Sequence, residues 1–326
     1  MFQVRHAGVK GFGIFASRQI APGSRILAER PLLLINNNKP DILAAARRLS
    51  LKDHKTLLRL SLNETKRSSI ASLLVAAWKS FPAIMATREV RDILNIFYNN
   101  NFALSDADGT RAVFPTVARI NHSCVPNAQG NFNANLQSFT VHALRDIGNE
   151  EEITISYLHD ELALRQGRQA SLSEGYGFTC ACELCAGSAQ RRGESRKRRV
   201  GLHEKLAVFS AENKSVPVEK LEMATRELRL MREIIEAYEG EGLAGREIAS
   251  LYSAAAGLAV ALGDHGLALT LGARGLERER DAVGTDSPFY EASRLGFSRL
   301  EFGEGVGLGK RLHEVRDEVL SYAPWT

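Results

Sequence analysis

The sequence predicts an α+β fold: small β-sheets drawn from the start and the middle of the chain, a helical block set between them, and an all-α C-terminal region. Two observations carry this. Runs of strand formers with short-range alternation occur before residue 36 and again after Asn101, whereas apolar residues recur at helical spacing over about 41–98 and from 201 onward. At 326 residues, the chain is also long enough for two domains.

Residues 2–35 read as short strands with turns. Gly11 and Gly13 punctuate the first, Ala21-Pro22-Gly23 marks a tight turn, and Arg25 to Ile35 is rich in strand formers. In the block from about Asp41 to Tyr98, Ile42, Leu43, Ala46 and Leu49 keep helical spacing, followed by Ile70, Leu73, Leu74, Ala77 and Trp78. Strand character then returns. Phe132-Asn133-Ala134-Asn135 reads as a hairpin tip, because asparagine tolerates the positive φ of tight turns. Phe139 to Ala143 alternates as a half-buried strand, Ile153 to Tyr157 follows as another, and a helix is predicted from about Asp160 to Leu172. Residues 188–200, small, polar and basic, read as a linker. Beyond it, Leu221, Ala224, Leu228, Met231, Ile234 and Ile235 form an apolar stripe that ends near Gly240 and Gly242. Ile248, Leu251, Ala255, Leu258 and Leu262 form the next. Gly263-Asp264 then turns the chain into a third, which implies a helical hairpin within a small helical array.

The chain has four cysteines, and all fall where one metal ion could use them. Three form Cys180-Ala181-Cys182-Glu183-Leu184-Cys185, and Cys124 lies upstream. Thiolates at tight spacing with one remote ligand are what a closed tetrahedral zinc site requires. Such a site would pin the segment near residue 180 onto the segment near residue 122.

Asn121-His122-Ser123-Cys124-Val125-Pro126-Asn127 resembles the signature of SET-domain protein lysine methyltransferases. Three further pieces of that pattern occur in the right order. Gly11-Phe12-Gly13-Ile14-Phe15-Ala16 is similar to the family's N-terminal G-x-G-x-x-A, and Glu151-Glu152-Ile153-Thr154-Ile155-Ser156-Tyr157 to its G-E-E-I-T-I-S-Y strand. Tyr176-Gly177-Phe178-Thr179-Cys180-Ala181-Cys182, followed by Cys185, resembles the zinc-binding post-SET tail. The resemblance covers about residues 1–187 and is nearest to SMYD-like and fungal SET proteins. It implies a SET domain over 1–187 with a helical insertion at about 40–98 and a post-SET zinc segment at 176–187. The linker at 188–200 and a helical, tetratricopeptide-like domain at 201–326 would follow. No cysteine is left for the additional MYND zinc module of SMYD proteins.

The resemblance also implies the chemistry: transfer of a methyl group from S-adenosylmethionine to a lysine amine, with the zinc structural. Gly11, Phe12 and Gly13 would approach the methionine end of the cofactor, where a Cβ would block contact. Asn121 and His122 would hold its amino group and adenine, Phe178 would stack on the adenine, and Asn100 matches an Asn-x-Phe element that touches the cofactor. Tyr157 and Tyr176 would line the lysine channel as the catalytic pair, with Tyr157 also reaching the cofactor. A tyrosine pKa near ~10 favours positioning over proton abstraction. One departure stands out: where the family has glycine ahead of Glu-Glu-Ile, this chain has Glu150. Either Gly148, two residues earlier, makes the turn instead, or Glu151 and the strand carrying Tyr157 sit slightly out of place and activity suffers.

Charge narrows the partners. Formal net charge is +4, yet residues 191–199 hold six basic side chains and one acid, which leaves the rest near −1. A basic nucleic-acid face is therefore not predicted, and the basic run reads either as an import signal or as a solvated linker. The expected partner is a protein or peptide presenting a lysine, possibly a histone. No apolar run reaches the ~18–20 residues that span a bilayer, and Met1 to His6 lacks the character of a secretory leader. Free thiols then point to the nucleus or the cytoplasm. The competing reading is a catalytically weak SET scaffold that recruits partners through its helical region.

Overall fold

Three small sheets build the front half of the computed structural model, which describes residues 1–36, 41–63, 88–104, 109–215 and 220–301. In the first, β1 (Phe2–His6) pairs antiparallel with β2 (Phe12–Ala16), β2 pairs antiparallel with β10 (Glu152–Ile155), and β10 runs parallel to β7 (Asn121–His122). The second orders β3 (Arg25–Glu29), β9 (Ser138–Ala143) and β8 (Ala128–Asn133), and the third β4 (Leu33–Ile35), β6 (Arg111–Val113) and β5 (Asn101–Ala103). The predicted run from Arg25 to Ile35 splits around Pro31, which has no N–H for a ladder. Ile14, Ile120, Phe114, Val141 and Ile153 are fully buried and form one core beneath the first two sheets.

The helical insertion begins with α1 (Ile42–Arg47) and α2 (Leu51–Leu57), capped by Asp41 and Ser50, whose side chains accept from the Ala44 and Asp53 N–H groups. It closes with α3 (Arg88–Asn100). Ile42, Ala46, Leu57, Ile96 and Phe97 bury against Leu33, Ile35 and Val113 of the third sheet. The predicted stripe through Ile70, Leu73, Leu74, Ala77 and Trp78 lies outside the described residues.

The β8–β9 hairpin turns slightly later than expected. Asn133 pairs with Ser138, its side chain accepts from the N–H groups of Asn135 and Leu136, and the residue with positive φ is Gln137 (50°) rather than an asparagine. α4 (Arg165–Tyr176) starts five residues later than about Asp160 and reaches Tyr176. α5 (Glu183–Ala186) carries Cys185.

Residues 188–200 are not a linker. They open α6 (Ala189–Ser215), and Arg199 in its first half has a side chain only 1% exposed. Glu241 explains the helix. Its fully buried carboxylate accepts from Arg199 Nη2 (2.9 Å), Arg198 Nε (2.9 Å) and Ser195 Oγ (2.7 Å). Burial alone would push this carboxyl up; Arg199 and the hydrogen bonds hold it below its usual value. A buried charge must be paired, so this run of basic residues faces inward at two positions.

α7 (Lys220–Glu241), α8 (Arg246–Ala261) and α9 (His265–Val283) follow the three predicted stripes, with the α8–α9 turn at Leu262–Asp264, and α10 (Pro288–Glu301) adds a fourth helix that no predicted stripe covers. Ile248, Ala255 and Ala259 are fully buried between helices. The array packs on the second sheet: α9 lies against β8 and β9, Ala282 and Val283 bury with Leu144, and Asp286 takes hydrogen bonds from Arg25 and Asn133. No helix among the described residues is long and apolar enough to cross a membrane.

Candidate active site and metal centre

The parallel pairing of β7 with β10 creates the site. Asn121 lies opposite Thr154 and His122 opposite Ile155, so the chain leaving β10 passes directly over His122. The Tyr157 N–H donates to His122 Nδ1 (3.0 Å), and His122 Nε2 lies 3.3 Å from Cys124 Sγ. Because Nδ1 accepts, the neutral ring carries its proton on Nε2 and points it at the sulfur. Burial lowers the His122 pKa to about 4, which keeps the ring neutral. Both ring nitrogens are engaged, so only the backbone of His122 remains for a ligand.

Four rings then converge. Tyr157 lies 4.7 Å from Tyr176 and 5.4 Å from His122 between centroids, and Phe178 lies 6.2–6.5 Å from each of the three. The Tyr157 hydroxyl donates to the Ile120 carbonyl at 2.6 Å. Burial first, then Tyr176 and Glu152, push its pKa well above the ordinary value, and burial does the same to Tyr176. The Tyr157 oxygen therefore keeps its proton and offers only lone pairs.

A polar group adjoins this box. Asn121 Nδ2 donates to Glu152 Oε1 (2.8 Å) and the Phe12 carbonyl (3.2 Å), and Lys10 pairs with the other oxygen of Glu152 (2.6 Å). Gly11 has φ 79°, and a Cβ on Gly13 would sit 2.9 Å from both Asn121 Nδ2 and Glu152 Oε1, so the loop lies tight against β7 and β10. The Phe12 ring faces outward, beneath Arg119. Asn127 fixes the strand from behind: it donates to Glu151 Oε1 and the Glu152 carbonyl and accepts from the Thr154 N–H.

Asn100 does not join the others. Its amide donates to the Ser61 and Ile96 carbonyls and accepts from the Ser61 hydroxyl, so the side chain is spent within the insertion. Glu152 is the residue that the sequence reading passed over. It lies inside the matched strand, but its contact with Asn121 spans 31 positions and has no local signal.

The turn before β10 corrects the expectation for Gly148. The Glu151 N–H donates to the Gly148 carbonyl, and the left-handed residue is Glu150 (φ 66°), so glutamate occupies the glycine conformation. Arg5 holds Glu150 by its carboxylate and carbonyl.

The four cysteines come together as the spacing predicts. Their sulfurs all lie within 4.8 Å of one another, with Cys124 Sγ 3.6 Å from Cys185 and 3.9 Å from Cys180, and none forms a disulfide. Zn–S bonds of ~2.3 Å set sulfurs about 3.8 Å apart in a tetrahedron, so the donor set fits one zinc ion. Four thiolates would leave no open coordination position on such an ion, which would make it structural.

Residues 11–158 match the SET domain family. Among curated proteins, the Schizosaccharomyces pombe histone-lysine N-methyltransferase set5 is 30% identical over 177 residues, covering 54% of this chain and 48% of that protein. The Danio rerio protein-lysine N-trimethyltransferase SMYD5 is 33% identical over 138 residues (38% and 32%), and the Arabidopsis thaliana histone-lysine N-methyltransferase ATXR2 42% over 84 (25% and 17%). The chain thus spans less than half the length of each of these relatives. Small sheets, a parallel β7–β10 pair and four ordered motifs agree with the match, so residues 11–158 are similar to the SET domain.

Proposed function

We propose that the protein is an S-adenosylmethionine-dependent protein-lysine N-methyltransferase with a structural zinc ion. The observation that carries the reading is the aromatic box of His122, Tyr157, Tyr176 and Phe178 beside the polar group of Gly11, Gly13, Asn121 and Glu152. When bound, S-adenosylmethionine supplies a methyl group on a sulfonium. The glycine loop, Asn121 and the backbone of His122 hold it, and Phe178 offers a flat face to the adenine. Tyr157 and Tyr176 turn electron-rich rings toward cationic groups and exclude water from the incoming lysine, which favours its neutral amine. The Tyr157 oxygen, its proton committed to Ile120, aligns donor and acceptor rather than removing a proton.

The partner is a protein presenting a lysine, histones included, and four unpaired cysteines suit the nucleus or the cytoplasm. The scaffold alternative drew on the altered turn at Glu150 and on the register near Asn100; the turn keeps its position, so the first support falls away, while the Asn100 side chain is bonded within the insertion. A DNA-binding role gains nothing from residues 191–199, where Arg191, Arg198 and Arg199 pair with Glu183 and Glu241.

Calorimetry with S-adenosylmethionine, followed by transfer of labelled methyl groups to histones and lysate proteins, tests the reading. Saturable binding that Asn121→Ala weakens, together with labelled lysine, is expected. Neither binding nor label in the zinc-loaded protein overturns it.

A further inference from the structure

A zinc ion with four thiolates carries a net charge of about −2, and a buried charge of that size needs a counter-charge. Arg168 is placed to provide it. The side chain is 2% exposed, lies on α4, and points Nη2 at Cys185 Sγ (3.8 Å) while Nη1 donates to the Ala163 carbonyl (2.6 Å). Its buried Nε has no hydrogen-bond partner, an arrangement that hydrogen bonding within the protein does not explain. Charge does: the guanidinium sits where the sulfurs concentrate negative potential.

The same helix is tied to the cysteine loop a second time. Gln169 donates to the Cys180 carbonyl and accepts from the Cys180 N–H, both at 2.9 Å. Residues 168, 172 and 176 are spaced by four and share one face. Along that face Arg168 touches the sulfurs, Leu172 is fully buried against the cysteines, and Tyr176 enters the aromatic box.

We propose that Arg168 is the counter-charge of the metal–thiolate centre and that, through α4, the occupied centre sets the position of Tyr176 in the box. The first half stands on the cysteine cluster alone; the second rests on the methyl-transfer reading. Arg168 is a positioning residue, since it touches neither reacting group.

The test uses the full chain with zinc exchanged for cobalt(II), whose thiolate charge-transfer band reports hydrogen bonds and charge at sulfur. Arg168→Met, which keeps volume and removes charge, should move the band to lower energy and weaken zinc affinity by about 10- to 100-fold in chelator competition. Arg168→Lys should recover part of the affinity, because it keeps the charge but not the planar fork. Leu172→Ala loosens the same face without changing charge and should leave the band in place. An unmoved band with unchanged zinc affinity in folded Arg168→Met overturns the counter-charge. Should that variant not fold, Arg168→Gln, which also removes the charge, is read the same way: an unmoved band with unchanged affinity overturns the counter-charge. For the second half, KM for a lysine peptide should rise several-fold in Arg168→Met with cofactor affinity unchanged. Unchanged KM overturns that half, whereas a wild-type protein without turnover counts against the methyl-transfer reading and leaves the metal result standing.

Discussion

Replacing Glu150 by glycine and by alanine tests the turn that feeds the site strand. At φ 66°, the Cβ of a non-glycine residue costs about 1–2 kcal/mol relative to an ordinary conformation. Glycine escapes that cost but loses about 0.5–1 kcal/mol more backbone entropy on folding than alanine. The balance favours Glu150→Gly over Glu150→Ala by about 0.5–1 kcal/mol. The ion pair with Arg5 does not enter this comparison, because both variants lose it; with side chains 40% and 54% exposed, it contributes ~0–1 kcal/mol in any case. Asn149, exposed and without positive φ in the same turn, is the control, and there alanine should be the more stable by a similar amount. Urea melts of the four zinc-loaded variants, followed by circular dichroism, give the differences. A reversed sign between the two positions is expected. Alanine equal to or better than glycine at position 150 would refute the left-handed assignment and return the turn to Gly148.

Four further outcomes are expected. Tyr157→Phe should leave S-adenosylmethionine affinity within a few-fold while turnover falls on the order of 10²-fold, because only the hydroxyl on Ile120 is lost; weakened binding at normal turnover would place Tyr157 in the pocket rather than the chemistry. Cys180→Ser should lower zinc content below one ion per chain and shift the urea midpoint down, whereas full zinc occupancy measured by atomic emission would count against the four-sulfur site. Arg199→Met strands the Glu241 carboxylate and should cost about 3–5 kcal/mol, largely regained in the double variant with Glu241→Leu; an inert single variant would contradict the buried pair. His142 is buried beside Arg25, and burial followed by that charge lowers its pKa from the ordinary 6.5 to about 4. The unfolded chain therefore binds a proton in that window that the folded one refuses. Stability should fall as pH drops from 6.5 toward 4, by up to about 1.4 kcal/mol per pH unit, and His142→Gln should flatten the slope by that amount. Equal slopes in wild type and variant would rule the contribution out.

The sequence by itself determined whatever depends on neighbours in the chain. The period of apolar residues located three of the C-terminal helices, α7 to α9, and the turn at Gly263-Asp264 falls between two of them. The cysteine spacing named the four sulfurs that meet, because a chelating cluster needs three ligands within one short loop. Motif order placed Tyr157, Tyr176, Phe178 and His122 in one site, and the rings do converge. What the sequence left open is held by contacts with no local trace. Residues 188–200 read as a linker because charge and small residues mean solvent when considered alone; Glu241, more than 40 positions away, makes them an inward-facing helix. Glu152 and Arg168 looked like ordinary charged positions until β7 and the cysteine loop were set against them. Asn100 matched a motif by spelling, but Ser61 takes its side chain. Periodicity and ligand spacing are properties of a segment, whereas desolvation and charge pairing belong to the assembled interior, so only the tertiary structure decided which charges are buried and what they hold in place.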